Sequence, residues 1–181
     1  LCSNPGTLEK AVGSSSVLSV GVGSRFKPNM RADVTLAYRG GYKLDDSDQN
    51  VPPLHFKADV KSLAVMANVY LDFPLAQLTP YVGAGLGAAQ NKIGTISIDD
   101  GSGSTGTAPG GTKTDLAFAF MLGAGIPLGR ATLDFGYRFI DLGKIESGTG
   151  DFILGGLVLT PPYAGVTGRL RAHELTVGLR F

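Results

Sequence analysis

The chain ends in the stretch RAHELTVGLRF (171–181), which alternates apolar and polar residues up to its last position. Leu175, Val177, Leu179 and Phe181 share one face, and polar residues and glycine share the other. A period of two indicates a β-strand, because successive side chains of a strand point to opposite faces. Chain ends are usually polar and frayed. This apolar face therefore predicts a strand that belongs to the fold up to its final residue.

The same alternation recurs in six earlier stretches. In each, Leu, Val, Phe and Ala share one face, while Gly, Ala, Thr and charged residues share the other. The stretches are VLSVGVGSRF (17–26), MRADVTLAYR (30–39), SLAVMANVYLDF (62–73), PYVGAGLGAAQ (80–90), DLAFAFMLGAGI (115–126) and ATLDFGYRFIDLGK (131–144). With 27 glycines among 181 residues, helices are disfavoured. Seven readable strands predict a single all-β domain.

The connections between these strands alternate in length. Short turns fall at 27–29, 74–79 and 127–130, and long polar segments fall at 43–60, 91–113 and 146–168. Short turns at one end and long loops at the other are the layout of an outer-membrane β-barrel. The two most apolar segments are too short, or broken by Pro161 and Pro162, for a membrane-spanning helix. If the chain crosses a membrane, it therefore crosses as a barrel.

The two faces indicate which side meets lipid. A face of Gly, Ala and charge lacks the volume to pack a core to normal density, whereas the regular Leu, Val and Phe face suits lipid tails. We therefore expect the apolar face outside and the small and charged face inside a narrow lumen. The alternative to a membrane barrel is a soluble ligand-binding barrel of lipocalin type. That fold requires the opposite arrangement, with bulky side chains facing the core.

Charges of both signs inside a lumen must pair, since unpaired buried charge is costly. Antiparallel pairing of the last two strands brings Arg138 close to Glu174 and Asp134 towards Arg180. We predict a lumenal ion-pair network; the alternative is that some of these groups are hydrated near the rims. The candidates are Arg25, Arg31, Asp33, Arg39, Asp72, Asp115, Asp134, Arg138, Glu174 and Arg180.

Several aromatic residues fall near the predicted strand ends on the outward face, where they would form girdles at the two membrane interfaces. The alternative is the ordinary preference of aromatic residues for strands. The residues are Phe26, Tyr38, Phe73, Tyr137, Phe139 and Phe181.

Single-chain bacterial barrels have even strand numbers. We therefore predict an eight-stranded antiparallel transmembrane β-barrel whose first strand is upstream of, or missing from, this chain. In this interpretation residues 1–16 are the remnant of an extracellular loop and residues 17–181 form the barrel domain. The alternative is an irregular first strand within residues 1–12.

The stretches RADVTLAYR (31–39), PYVGAGLGAA (80–89), LDFGYRFIDLGK (133–144) and AHELTVGLRF (172–181) resemble the opacity-type outer-membrane β-barrel family, porin-like surface proteins of Gram-negative bacteria. The resemblance covers about residues 17–181 and is strongest in the strands. It implies location in the outer membrane and a structural or adhesin-like role. It also implies that Leu179 and Phe181 form the signal read by the barrel-assembly machinery, with Thr176 where that signal usually has glycine.

Catalytic or metal-binding constellations are not evident in the sequence. His173 has no serine in its strand, and His55 lies in a predicted loop. The stretch DSDQN (46–50) departs from a calcium loop, because Val51 and Lys57 stand where Gly and Glu are needed. A net charge of +1 gives no footprint for nucleic acid. We therefore expect no enzyme, no cofactor and no nucleic-acid partner.

The last long segment, DFILGGLVLTPPYAGV (151–166), is unusually apolar for a loop, and exposed apolar patches often mark contact sites. It could instead extend the terminal hairpin or pack over the barrel mouth. The candidate contact residues are Phe152, Ile153, Leu154, Leu157, Val158, Leu159 and Tyr163.

We expect a non-enzymatic outer-membrane protein whose extracellular loops serve envelope integrity or surface interaction. The expected partners are outer-membrane lipid and lipopolysaccharide, the barrel-assembly machinery, and an envelope or host-surface protein. The alternative function is a narrow porin-like channel for small solutes, although an eight-stranded barrel has room inside for little more than side chains.

Overall fold

The computed structural model describes residues 6–7, 15–48, 54–99, 105–148, 150–154, 157–163 and 166–181, with side chains described for 15–41, 59–97, 106–107, 109–148 and 167–181. The described strands are β1 (Gly6–Thr7), β2 (Ser16–Lys27), β3 (Met30–Asp48), β4 (Leu54–Asp72), β5 (Thr79–Ile93), β6 (Ile96–Asp99), β7 (Thr105–Ala108), β8 (Gly111–Leu128), β9 (Ala131–Glu146), β10 (Gly150–Leu154), β11 (Leu157–Tyr163) and β12 (Val166–Arg180). Among these residues no helix is long and apolar enough to cross a membrane.

Seven long strands form one antiparallel, curled sheet in the order β2-β3-β4-β5-β8-β9-β12. Each strand pairs with the next long strand in sequence, so the sheet is a simple meander. Tight turns at 28–29 and 129–130 and a short connection at 73–78 lie at one end, called here the short-turn end. Gly129, with φ +67°, supplies the left-handed residue of one turn. The predicted all-β antiparallel architecture is confirmed.

The faces of the sheet are arranged as the sequence predicts. Along β4, burial alternates without a break from Asp59, which is exposed, to Asp72, which is buried. Large apolar side chains cover the outer face of all seven long strands, and Leu175 on β12 is 90% exposed. The charged residues Arg39, Asp72, Arg138 and Glu174 are buried on the inner face.

The arrangement reverses towards the other end, called here the long-loop end. There the outer face carries polar and charged residues, including Lys61 and Lys92, whereas the inner face carries apolar ones, including Val60, Ile93 and Leu170. Apolar groups turn away from water outside a bilayer and towards lipid within it. The reversal therefore marks the level at which the surroundings of the outer wall change from apolar to aqueous.

The long segments contain more strand than the sequence predicts. β3 continues to Asp48 and β4 begins at Leu54, and the segment after β5 folds into the hairpin β6–β7. β6 pairs with the start of β4, β7 pairs with β10, and β10 pairs with β11. The sequence predicts loops here because the stretches are polar and rich in glycine. Strands that are surrounded by water need no apolar outer face, so their alternation is not visible in the sequence. The alternative that segment 151–166 extends the terminal hairpin does not hold for the described residues, since β10 pairs with β11 and with β7.

Two glycines with positive φ change the phase of alternation near the long-loop end. Gly143 has φ +78° and Gly41 has φ +87°. The pairing register shifts between Arg39 and Tyr42, and again between Arg169 and Arg171. Such bulges insert an extra residue into one strand and exchange the two faces beyond it. Asp141, before the bulge, lies with Arg171 on the outer face as regular alternation requires, whereas beyond the bulge Lys144 is exposed and Ile145 packs inside.

The first and last long strands, β2 and β12, form the two edges of the sheet. Among the described residues, neither edge pairs with a further long strand. β2 pairs only with β3, and the free edge of β12 pairs only with β1, through Val166 and Thr167. β2 and β12 run in the same direction, so one strand of opposite direction can pair antiparallel with both edges at once. The predicted eighth strand has this geometry and stays a prediction, as does the boundary between residues 16 and 17.

Candidate functional site

The centre of the lumen holds a buried group of three charges, called here the lumenal triad: Arg39, Arg138 and Glu174. Arg39 Nε lies 2.6 Å from Glu174 Oε1, and Arg138 Nε donates to Glu174 Oε2 at 2.6 Å. Arg39 is fully buried, and both partners are nearly so. Glu174 faces Arg138 in the β9–β12 register, whereas Arg39 reaches it from β3, which is not a hydrogen-bonded neighbour of β12. The triad therefore ties opposite walls of the sheet together.

A second group of charges lies nearer the short-turn end. Asp72 pairs with Arg31 at 3.0 Å and with Arg25 at 3.3 Å. The Arg31 guanidinium also lies over the ring of Tyr70, 3.9 Å from its centroid, and 4.7 Å from that of Tyr81. Cation–π contacts with the two rings and the ion pair with Asp72 together fix the position of the Arg31 side chain.

Arg180 and Asp134, which the expected hairpin register places near one another, lie 3.3 Å apart. They sit beside a cavity of about 770 Å³ that opens between β2 and β12 at the short-turn end. The cavity is lined by charged and aromatic side chains, among them Arg25, Arg31 and Tyr81.

Two of the ten candidate residues make no ion pair among the described residues, so their assignment to the network is corrected. Asp33 accepts a hydrogen bond from Asn68 Nδ2 at 2.7 Å. Asp115 accepts the backbone N–H of Leu116 at 2.8 Å and of Lys144 at 2.9 Å. The turn of the chain at Gly143 presents the Lys144 amide to Asp115, so backbone N–H groups are the donors to this carboxylate.

An apolar cluster, called here the apolar plug, fills the lumen from the triad towards the long-loop end. None of its members is more than 3% exposed, and Asn91 closes it by donating to the carbonyl of Leu142 at 2.8 Å. The plug consists of Val60, Ala64, Met66, Ala89, Ile93, Ala117, Ala119, Ile140, Leu142, Ile145 and Leu170. Sequence reasoning missed it because most of its large residues lie beyond the predicted strand ends or past the bulge at Gly143.

The outward aromatic residues divide between the two ends. Phe26, Phe73 and Phe181 are exposed near the short-turn end, and Tyr38 is exposed further along the wall. On the outer face His173 Nδ1 lies 2.5 Å from Tyr137 Oη, and its ring centroid lies 5.2 Å from that of Phe139. Their role as membrane girdles stays a prediction.

The other sequence candidates remain untested. Leu179 and Phe181 are exposed on the outer face of the last strand, and their reading by the assembly machinery stays a prediction. The seven candidate contact residues of segment 151–166 lie outside the residues whose side chains are described, as do His55 and the DSDQN stretch. Among the described residues no group of three His, Cys, Asp or Glu side chains could hold a metal ion.

An apolar outer wall, a charged and plugged interior and long strands joined by short turns at one end define a transmembrane β-barrel. The family model described as "Outer membrane protein beta-barrel domain" matches residues 3–181. The chain belongs to this family, and its location is the bacterial outer membrane. The short-turn end is accordingly periplasmic, and the long-loop end is extracellular.

Relatives and a solved structure agree with this class. The chain is 31% identical over 143 residues to an uncharacterized protein of Brucella abortus (strain 2308), covering 67% of this chain and 49% of that protein. It thus spans about half the length of that relative. It is 29% identical over 174 residues to a protein of Rickettsia bellii (strain RML369-C) named as a candidate adhesin, covering 90% and 72%. The crystal structure of Neisserial surface protein A matches with TM-score 0.56 at 18% identity, covering 91% of this chain and 81% of that chain.

Proposed function

We propose that this protein is a non-enzymatic surface-interaction protein, in which the barrel is the anchor and the extracellular strands contact an envelope or host-surface protein. The observation that carries the proposal is the sheet formed beyond the membrane by β6, β7, β10 and β11. These strands pair laterally with one another and with the start of β4. A paired sheet presents side chains at defined positions, which favours specific contact with a partner.

The state of the lumen argues against the alternative of a solute channel. Arg39, Arg138 and Glu174 cross the interior, and the plug above them is almost completely buried. Conduction through this level requires both the ion pairs and the apolar packing to open. No feature of the described interior favours transport over anchoring.

The names of relatives support the surface role. The Rickettsia bellii relative is named as a candidate adhesin, and the structural neighbour is named a surface protein. His173 lies on the outer wall beside the apolar band, where it contacts the aromatic residues Tyr137 and Phe139. This placement supports a role without catalysis.

The proposal is tested by replacing the β10–β11 segment in cells that display the protein. Residues 151–163 are exchanged for a glycine–serine linker of equal length, and binding of the cells to a panel of host-cell and envelope-protein surfaces is measured. We expect binding to fall to the level of cells that lack the protein, because the segment carries the largest apolar sequence beyond the membrane.

The matched control exchanges residues 49–53, the connection between β3 and β4, for a linker of equal length. This variant is expected to bind as the unchanged protein does, and heat-dependent gel migration verifies that both variants form barrels. Binding that survives loss of 151–163, in a folded protein at equal surface density, contradicts the proposal.

A further inference from the structure

We propose that the outer wall of β9 and β12 carries a binding site for the phosphate group of an outer-leaflet lipid, formed by Arg169, Arg171 and Lys144. These three residues are called here the outer basic patch. The inference stands on the outer-membrane location and does not depend on the adhesin-like role.

The two arginines of the patch are held in place by one buried carboxylate. Asp141 is 1% exposed, and it accepts from Arg169 Nε at 2.8 Å and from Arg171 Nε at 3.0 Å. Its other contact is the backbone N–H of Gly143, at 3.0 Å. Asp141 therefore lies on the outer face between the two arginines, and the bulge at Gly143 directs a backbone N–H to its carboxylate.

This arrangement leaves the ends of both guanidinium groups available. Each arginine uses only Nε for Asp141, and its terminal nitrogens donate to no described residue. The side chains of Arg169 and Arg171 remain 52% and 59% exposed. Planar guanidinium groups whose orientation is already set lose little freedom when they bind a phosphate, for which their geometry is suited.

Lys144 adds a third positive charge, because it lies opposite Arg169 in the β9–β12 register and is exposed. Asp141 and the nearby Asp115 supply two negative charges, so the patch has a net charge of +1. The carboxylates lie behind the patch: Asp141 is buried, and Asp115 accepts two backbone N–H groups. The guanidinium ends that donate to no described residue are therefore open to an anion, while the carboxylate acceptors are occupied.

The position on the wall indicates a lipid as the source of the phosphate. The patch lies just above the apolar band of β12, where Leu175 and Val177 are exposed to the acyl chains. His173 and Phe139 lie between the band and the arginines. A phosphate at the level of the patch thus belongs to a molecule whose hydrocarbon part can lie against this band, as the headgroup of an outer-leaflet lipid does.

The test uses the whole chain refolded in dodecyl maltoside micelles and titrated with diphosphoryl lipid A, with bound lipid counted by native mass spectrometry. The double variant R169Q/R171Q is expected to bind about tenfold more weakly or worse, since two charge-assisted contacts are lost. The matched control K27Q/R130Q removes two exposed positive charges from the periplasmic end and is expected to leave the affinity unchanged.

The variant Asp141→Asn distinguishes a site with oriented arginines from nonspecific electrostatic attraction between the patch and an anionic lipid. Loss of this carboxylate raises the positive charge of the patch, so diffuse attraction predicts tighter binding. The proposed site predicts weaker binding, because the arginines lose the group that orients them. Folding of every variant is checked by heat-dependent gel migration.

The proposal is overturned if folded R169Q/R171Q binds the lipid as the unchanged protein does, if K27Q/R130Q loses as much affinity, or if Asp141→Asn binds more tightly. Equal binding of dephosphorylated lipid A overturns the phosphate assignment. Complete displacement of the lipid by excess inorganic phosphate overturns the lipid assignment.

Discussion

Glu174 balances two guanidinium groups inside the lumen. Its oxygens contact Arg39 and Arg138 at 2.6 Å, and all three residues are almost fully shielded from water. Buried charges are tolerated because each is paired, and removal of one partner leaves the others without compensation. The stability of the barrel should therefore depend strongly on this carboxylate.

We expect Glu174→Gln to lower the free energy of unfolding by about 3–5 kcal/mol, since two buried arginines lose their counter-charge. Urea titration of the folded protein in micelles, followed by heat-dependent gel migration, measures the change.

Glu146→Gln makes the same chemical change in a pair that is more than a third exposed on both sides, Lys113–Glu146 at 3.0 Å. Its cost should be below about 1 kcal/mol. Equal costs for the two variants contradict the assigned importance of the triad.

Register explains which of these residue contacts were predictable. Pairing of the last two long strands places Glu174 opposite Arg138, and this follows from alternation and from antiparallel pairing with Ala131 and Phe181 at the same end. The contribution of Arg39 does not follow, because β3 approaches β12 only through the curvature of the whole sheet. Asp33 meets Asn68 because the two residues face each other in the register of the neighbouring strands β3 and β4.

At the level of elements, β5 presents glycines to the lumen where β4 presents large side chains. Gly83 and Gly85 face the side chains of Tyr70 and Asn68, which occupy the space that a Cβ at either glycine would take. The Asn68 amide in turn donates to Asp33. A strand with glycines on its inner face, next to a strand with large inward side chains, lets a narrow interior be filled without steric overlap.

Gly85→Val should destabilise the barrel by about 1–3 kcal/mol, because the new side chain displaces Asn68 in a packed interior. Ala84→Val, on the exposed outer face of the same strand, is the control and should be neutral. The midpoint of urea unfolding compares the two. An unchanged free energy of unfolding for Gly85→Val would contradict the proposal that glycine is required at this position to leave space for Asn68.

Over the whole molecule, the exchange of apolar and polar faces defines the height of the membrane band. On β8 the outer face is apolar from Leu128 to Leu116 and polar at Thr114 and Thr112. On β12 it changes between Leu175 and Arg171. The strands thus cross the bilayer with their periplasmic halves and stand clear of it at the extracellular end.

Leu122→Arg, at the centre of the apolar band of β8, should cost about 2–4 kcal/mol in a bilayer. The same change at Thr114 should cost about 0–1 kcal/mol, as expected near an interface. Both residues lie on the outer face of one strand, so refolding into lipid vesicles in urea compares them directly. A similar free-energy cost of arginine at the two positions would contradict a membrane boundary between Leu116 and Thr114.

The plugged lumen predicts an insulating barrel. In planar lipid bilayers we expect no stable conductance steps from the folded protein, because the plug closes the interior above the triad. Arg138→Ala should remain silent as well, since the plug is intact in that variant. Stable, ion-selective steps that change on this substitution would instead support the porin-like alternative.

The sequence by itself determined the strands, their faces and the class of protein, because a period of two and a barrel's short turns are local properties of the chain. The outward position of Leu, Val and Phe followed from volume and charge alone. Only the tertiary structure decided the triad, the plug and the contacts of Asp141 with Arg169 and Arg171. Those features depend on curvature, bulges and contacts between strands that are distant in sequence, which alternation along one strand does not encode.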